Sequence, residues 1–275
     1  DRVAVSQRVV PAVPVEAWAT ALLRVGPDSS LPVAPPAGAL PGRGSVDIRL
    51  SATLAPPLAG VRAYMADYPF TCLEQRSSRA IVLDDAAGWQ RIASEIPAYQ
   101  DRDGLLRYFP SDALPGSEAL TAYLLSITAE AGLALPEGPR ARMIEAMKAV
   151  VDGRLRREGD GAGDQRLLRV AALAALARNG AATPAMLGQL GLAPRDMPTA
   201  LLADWIAAVD RIPGLANAAA LRAEGEAVLR SRIVYEGSRF DLADQASAPW
   251  WMMSSGDESA LRALIAVLGR PGWQD

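Results

Sequence analysis

The 275-residue sequence contains no histidine, one cysteine (Cys72) and one lysine (Lys148). Without histidine, neither Ser-His-Asp nor Cys-His nucleophilic chemistry can be assembled from this chain. One cysteine and no histidine leave an ordinary structural or catalytic zinc site without a ligand set. A lone cysteine closes no internal disulfide, so cysteine usage leaves the redox compartment open. No apolar run approaches the roughly 20 residues needed to span a bilayer. The nearest, "LLRVAALAALARNG", is short, Ala-rich and flanked by Arg, and reads as a buried helix. No basic stretch alternates with aromatics and the net charge is −3, so nucleic acid is not an expected partner. The scarcity of lysine beside many arginines reads as high-GC coding bias. The chain begins at Asp1, with neither an initiator Met nor a signal peptide, and is expected to be part of a longer protein.

Half of the residues are hydrophobic, and the length allows one large domain, or one domain with an appendage. Residues 1–52 combine short alternating stretches ("RVAVSQRVV", "EAWATALLRV") with a Pro/Gly-rich linker and a strand-like "VDIRLSA" at 46–52. This part is expected to be a β segment belonging to an adjoining small β domain. From residue 53 to 275 the period is helical. Apolar faces recur at Leu54, Leu58, Val61 and Met65; Leu120, Leu124 and Ile127; Met143, Met147 and Val150; Leu202, Trp205, Ile206 and Val209; and Leu261, Leu264, Ile265 and Leu268. Gly132, Gly180 and Gly269 mark helix ends, Pro139, Pro184 and Pro198 mark starts, and Asp196 and Asn217 are candidate caps. Short Gly/Pro loops between such helices predict successive antiparallel hairpins. Residues 103–116 and 231–240 interrupt the helices as extended loops or small hairpins.

The stretch with most chemistry is "YPFTCLEQ", residues 68–75. Pro69 followed by helix formers places Cys72 near a helix N-terminus, where free N–H groups and the helix dipole favour a thiolate. Gln75, three residues on, lies on the same face of the first turn. A thiol and a carboxamide so placed can react, the thiol attacking the δ-carbon and expelling ammonia to give an internal thioester. Such a bond needs an apolar cover, for which Tyr68, Phe70 and Leu73 are adjacent. The alternative is a buried cysteine acting as a small hydrophobe, with Gln75 on a solvated face.

The longer string resembles the thioester motif of the α2-macroglobulin and complement superfamily, which reads Gly-Cys-x-Glu-Gln after a proline. It is nearest to the bacterial α2-macroglobulins, where Tyr-Pro precedes Cys-Leu-Glu-Gln. Tyr68, Pro69, Phe70, Leu73 and Glu74 flank the pair, and Cys72 and Gln75 match the thioester-forming residues. The departure is Thr71 in place of glycine, since a β-branched residue there disfavours positive φ. "TAYLL" (121–125) and "PWWMMSSGDESALRALIAVLG" (249–269) resemble later landmarks of the same domain, and the opening segment resembles the strands leading into it.

The resemblance implies a mainly α fold, an α/α toroid of helical hairpins entered from a short N-terminal β segment. It implies a non-enzymatic covalent trap without cofactor or metal, whose thioester acylates amines of attacking proteases. It also implies neighbouring macroglobulin-type domains and a periplasmic, inner-membrane-anchored protein that protects the cell envelope, with any membrane attachment through a lipid anchor outside this segment. Because no histidine is available to carry the acyl group, amines are the expected acceptors rather than hydroxyls.

Other residues fit blander roles. Asp84 with Asp85 and Asp101 with Asp103 could serve acid/base chemistry in an α/α-toroid carbohydrate-active enzyme, and read more simply as surface charges and caps. Trp250 and Trp251 read as core beside Met252 and Met253. Tyr108 and Phe109, in the interrupting loop, are candidates for covering the thioester. Arg154, Arg156 and Arg157 read as a solvated helix end. A helical module that binds partners without chemistry is the remaining alternative.

Overall fold

The computed structural model describes residues 58–157, 161–236, 239–244 and 248–273, and before these residues 23, 25–34, 42, 45–46, 48 and 50–52. The chain divides into two units at Pro57/Leu58. In the first, a turn is closed by Ser29 Oγ, which accepts from Gly26 N at 2.7 Å. The described members of the strand-like segment, Val46, Ile48 and residues 50–52, form no strand. The alternating stretches before residue 23, and Leu54, lie outside the described residues.

The second unit is mainly helical. Its helices are α1 (Ala59–Ala66), α2 (Leu73–Leu83), α3 (Ala86–Tyr99), α4 (Glu118–Glu130), α5 (Glu137–Val151), α6 (Ala162–Arg178), α7 (Pro184–Gly188), α8 (Thr199–Arg211), α9 (Ala218–Ser231) and α10 (Gly256–Val267). An antiparallel hairpin, β1 (Ile233–Glu236) and β2 (Arg239–Leu242), pairs Ile233 with Leu242 and Glu236 with Arg239. It occupies the interruption expected at 231–240.

The helix boundaries follow local chemistry. Ser117 accepts from Leu120 N at 3.2 Å to start α4, and Asp85 accepts from Gly88 N at 2.8 Å to start α3. Thr183 caps α7, with Pro184 at its first position. Gly132, Gly180 and Gly269 take positive φ just past α4, α6 and α10, where a side chain is unfavourable. Of the expected caps, Asp196 lies instead in a 3₁₀ turn, and Asn217 precedes α9 without a side-chain bond. The start of α8 is capped from afar: Asp244 accepts from Thr199 N at 2.9 Å and Thr199 Oγ1 at 2.7 Å.

Alternate helices form a continuous series. α4 packs on α2, α6 on α4, α8 on α6 and α10 on α8, while α3, α5 and α9 flank α2, α6 and α8. The core runs along this series through Leu73, Leu120, Leu124, Leu173, Leu176, Leu202 and Ile206. At the α8–α9 crossing, a Cβ on Gly225 would lie 2.8 Å from Ile206 Cγ1, so only glycine permits this approach. Among the described residues, no helix is long and apolar enough to cross a membrane.

Further sequence expectations are corrected. The face of α10 carrying Leu261, Leu264, Ile265 and Leu268 points outward, and the helix buries Ser259, Ala263, Ala266 and Val267 instead. Periodicity identifies a helix with an apolar stripe but not what the stripe faces. Trp250 is 81 % exposed, and only Trp251, Met252 and Met253 pack against the core. Asp101 is buried rather than a surface charge. Its carboxylate accepts from Asp103 N and Leu105 N, both at 2.9 Å, and pairs with Arg157, which also bonds Asp103 at 3.1 Å. Arg157 therefore braces the 100–117 loop instead of ending a solvated helix.

Candidate functional site

Cys72 is the N-cap residue of α2, in an extended conformation (φ −66°, ψ 165°), with Leu73, Glu74 and Gln75 as the first three helical residues. Leu73 is fully buried, an anchor worth roughly 1.5–3 kcal/mol, and fixes this end of α2 to the core independently of the cap.

The N–H groups at the start of α2 find specific partners. Leu73 N donates to the Tyr108 carbonyl at 2.9 Å. The Gln75 N–H is directed at the Cys72 side chain, and Gln75 Oε1 accepts from Cys72 N at 3.2 Å. The two residues thus close a reciprocal capping box with a thiol in the place usually held by a hydroxyl. The arrangement brings the δ-carboxamide of Gln75 to the backbone of Cys72 and aims an N–H at its carbonyl oxygen. That contact polarises the carbonyl and makes the δ-carbon a better electrophile.

Cys72 is 7 % exposed. Burial pushes its thiol above the ordinary range, the Gln75 N–H pulls it down, the Glu74 carboxylate adds to the rise, and the Glu74 N–H opposes it. The helix terminus alone favours a thiolate, but burial outweighs it, so the expected thiolate is corrected to a protonated thiol. While Cys72 is free, alkylation by iodoacetamide is therefore expected to be slower at neutral pH than for an exposed cysteine, and to accelerate only above the usual thiol range. A rate–pH profile against a cysteine peptide checks this; matching profiles would count against the buried thiol.

Around the pair, Tyr68 is half-buried and Pro69 exposed, and Phe70 is 58 % exposed. Tyr64, Tyr68 and Phe70 form a chain of ring contacts, with centroids 5.5 and 5.2 Å apart. Tyr108 is half-buried, and burial raises its hydroxyl, opposed by a bond to Ser117 and helped by the charge of Glu74. Its carbonyl accepts from Leu73 N beside the pair, whereas Phe109 is exposed. Thr71 is exposed and is not among the residues with positive φ, so its branched side chain meets no backbone strain.

Sequence reasoning missed the partners of Glu74. Ser78 Oγ lies 2.8 Å from Glu74 Oε1 and 2.9 Å from Glu74 O, and Tyr123 OH lies 2.7 Å from Ser78 Oγ. The i+4 spacing of Ser78 was a usable signal; nothing in the sequence paired Tyr123 with it. Beyond Tyr123 lies a small cavity also lined by Ser126, Asp204, Ser254 and Arg262. There Asp204 joins Arg178 at 2.7 Å and also Arg262, which in turn pairs with Glu258, while Arg178 also holds Glu130. Among the described residues, no group of three metal-binding side chains comes together.

No protein-family description and no curated protein matches the sequence. Two solved structures share the fold. One is native α2-macroglobulin from Escherichia coli, spanning domain MG7 to the C-terminus: TM-score 0.52, 18 % identity, 63 % of this chain and 31 % of that one. The other is the native conformation of E. coli α2-macroglobulin: TM-score 0.52, 16 % identity, 78 % of this chain and 15 % of that one. The chain thus spans less than a third of either relative, and at these identities the likeness is one of fold.

Proposed function

We propose that this chain is the thioester domain of an α2-macroglobulin-like protease inhibitor, an α/α toroid that traps attacking proteases covalently. The observation that carries the reading is the capping box, in which Cys72 N donates to Gln75 Oε1 at the N-terminus of α2. The fold likeness to E. coli α2-macroglobulin supports it.

The chemistry balances within the two side chains. Cys72 Sγ bonds to Gln75 Cδ, the Cδ–Nε2 bond breaks, and the thiol proton leaves with the nitrogen as ammonia. A target amine then attacks Cδ, forming an amide and restoring the Cys72 thiol. No catalytic turnover is involved, because each chain holds one acyl group. The setting is the periplasm, beside macroglobulin-type domains, with an anchor elsewhere in the protein.

Intact mass tests the reading. A closed chain is lighter than its sequence by one ammonia and gains methylamine at Gln75 with release of one thiol. A chain with glutamate at 75 has closed and hydrolysed, which also supports the reading. A free Cys72 beside an unmodified Gln75, unresponsive to methylamine, overturns it. Acceptor choice is a separate prediction. With no histidine to form an acyl-imidazole, labelled methylamine is expected to be incorporated well ahead of labelled glycerol, and preferential glycerol uptake would contradict it.

A further inference from the structure

A carboxylate at the second position of a helix is drawn to the free N–H groups of that helix's own first turn. Glu74 occupies this position in α2, one residue before Gln75. A charged acceptor forms hydrogen bonds roughly twice as strong as a neutral one. An unrestrained Glu74 would therefore compete with the Gln75 carboxamide for the N–H groups at the start of α2. In the structure Glu74 is turned aside, toward Ser78 and α4.

The proton count fixes the direction of this contact. Both Glu74 oxygens that Ser78 touches can only accept, so the single Ser78 proton goes to Glu74. Tyr123 must then donate to Ser78 Oγ, giving a one-way chain from Tyr123 through Ser78 to Glu74. Tyr123 also disfavours the rotamer in which Ser78 would leave Glu74, because that would strand its own hydroxyl beside the core.

We propose that Ser78 and Tyr123 are positioning residues for the Cys72–Gln75 pair, holding the Glu74 carboxylate away from the N–H that Gln75 Oε1 uses. The proposal rests on the thioester reading for its consequence, and on the hydrogen-bond chain for its geometry. The charged and titratable groups facing this assembly are Glu74 itself, Tyr108 from the 100–117 loop, Tyr123 of α4, and Glu258 and Arg262 of α10 acting on Tyr123.

The test is a double-mutant cycle. Ser78→Ala and Tyr123→Phe are made in the parent and in a Glu74→Gln background, where no carboxylate competes. The readouts are the closed fraction by intact mass and the thermal midpoint. Both substitutions are expected to lower the closed fraction severalfold in the parent, Ser78→Ala the more, and to leave it unchanged with Gln at 74. Equal losses in both backgrounds, in step with the midpoint, would make the residues merely structural and overturn the proposal. If the parent keeps a free Cys72 and an intact Gln75, the thioester reading falls. The same cycle is then read on the pH profile of Cys72 alkylation, as it is for any variant that stays open. Released Glu74 comes nearer the thiol, so Ser78→Ala is expected to move that midpoint to higher pH in the parent background only. An unmoved midpoint overturns the positioning role.

Discussion

A Cys72→Ser chain is expected to fold at least as stably as the parent and to incorporate no methylamine. Cys72 is the N-cap of α2, with the third-position N–H directed at its side chain. Serine is among the residues preferred at that position, and loss of a good cap costs about 1 kcal/mol. A hydroxyl in place of the thiol therefore improves the start of the helix, by up to about that amount. It also removes the acyl carrier, because a serine hydroxyl is a weak nucleophile without a neighbouring base and this chain has no histidine. Methylamine labelling measured beside a urea or thermal melt separates the two effects. If labelling persists in the serine variant, the acyl group is not carried at Cys72. A loss of stability of several kcal/mol would instead make Cys72 a core residue.

The second large effect is expected at Asp204. Its carboxylate is nearly buried between Arg178 of α6 and Arg262 of α10. Burial disfavours the charge on Arg178, but Asp204 and Glu130 more than offset it and hold the guanidinium firmly protonated. Removing the shared carboxylate leaves Arg178 and Arg262 facing each other in a poorly hydrated space, each with one remaining carboxylate, Glu130 and Glu258. Breaking a buried pair outright costs about 3–5 kcal/mol; with Glu130 and Glu258 retained, a cost near the lower end is expected, still a large fraction of the roughly 5–15 kcal/mol that separates folded from unfolded domains. Asp204→Ala is therefore expected to lower the denaturation midpoint strongly, while Lys148→Ala is expected to leave it nearly unchanged. Lys148 pairs with Glu145 in a partly exposed contact. Similar midpoints for the two variants would mean that the α6–α8–α10 charge cluster is solvated.

How far the sequence revealed these features depended on distance along the chain. The proximity of Cys72 and Gln75 was legible because the two residues lie within one helical turn. The helical class was legible because Leu120, Leu124, Met143, Met147, Leu202 and Ile206 repeat at helical spacing and are fully buried. Asp204 gave no signal, since its partners lie 26 and 58 residues away. The same holds for Asp244, which caps a helix 45 residues upstream. The outer face of α10 misled because Leu261 and Ile265 have the spacing of a core stripe, whereas small Ser259 and Ala263 let the helix lie close to α8. The raised thiol was illegible for a related reason: the helix terminus is a local property, but burial depends on loop 100–117 folding back over the site.

Helix α1 buries none of its own residues and is held by arginines. Arg62 donates to the Val82 and Leu83 carbonyls at 2.7 and 2.9 Å and to Asp84 at 2.7 Å, and Arg79 donates to the Ala66 carbonyl at 2.8 Å. Tension applied at Leu58 is therefore borne first by Arg62, at the far end of α2, and not by the backbone that leads to Cys72. These contacts are solvent-exposed and part under far less load than the core behind Leu73. While they hold, the pull does not reach the Cys72–Gln75 pair. Once they part, the same pull arrives directly at Cys72. In mechanical terms α1 is a fuse placed in series with the turn that carries Cys72 and Gln75.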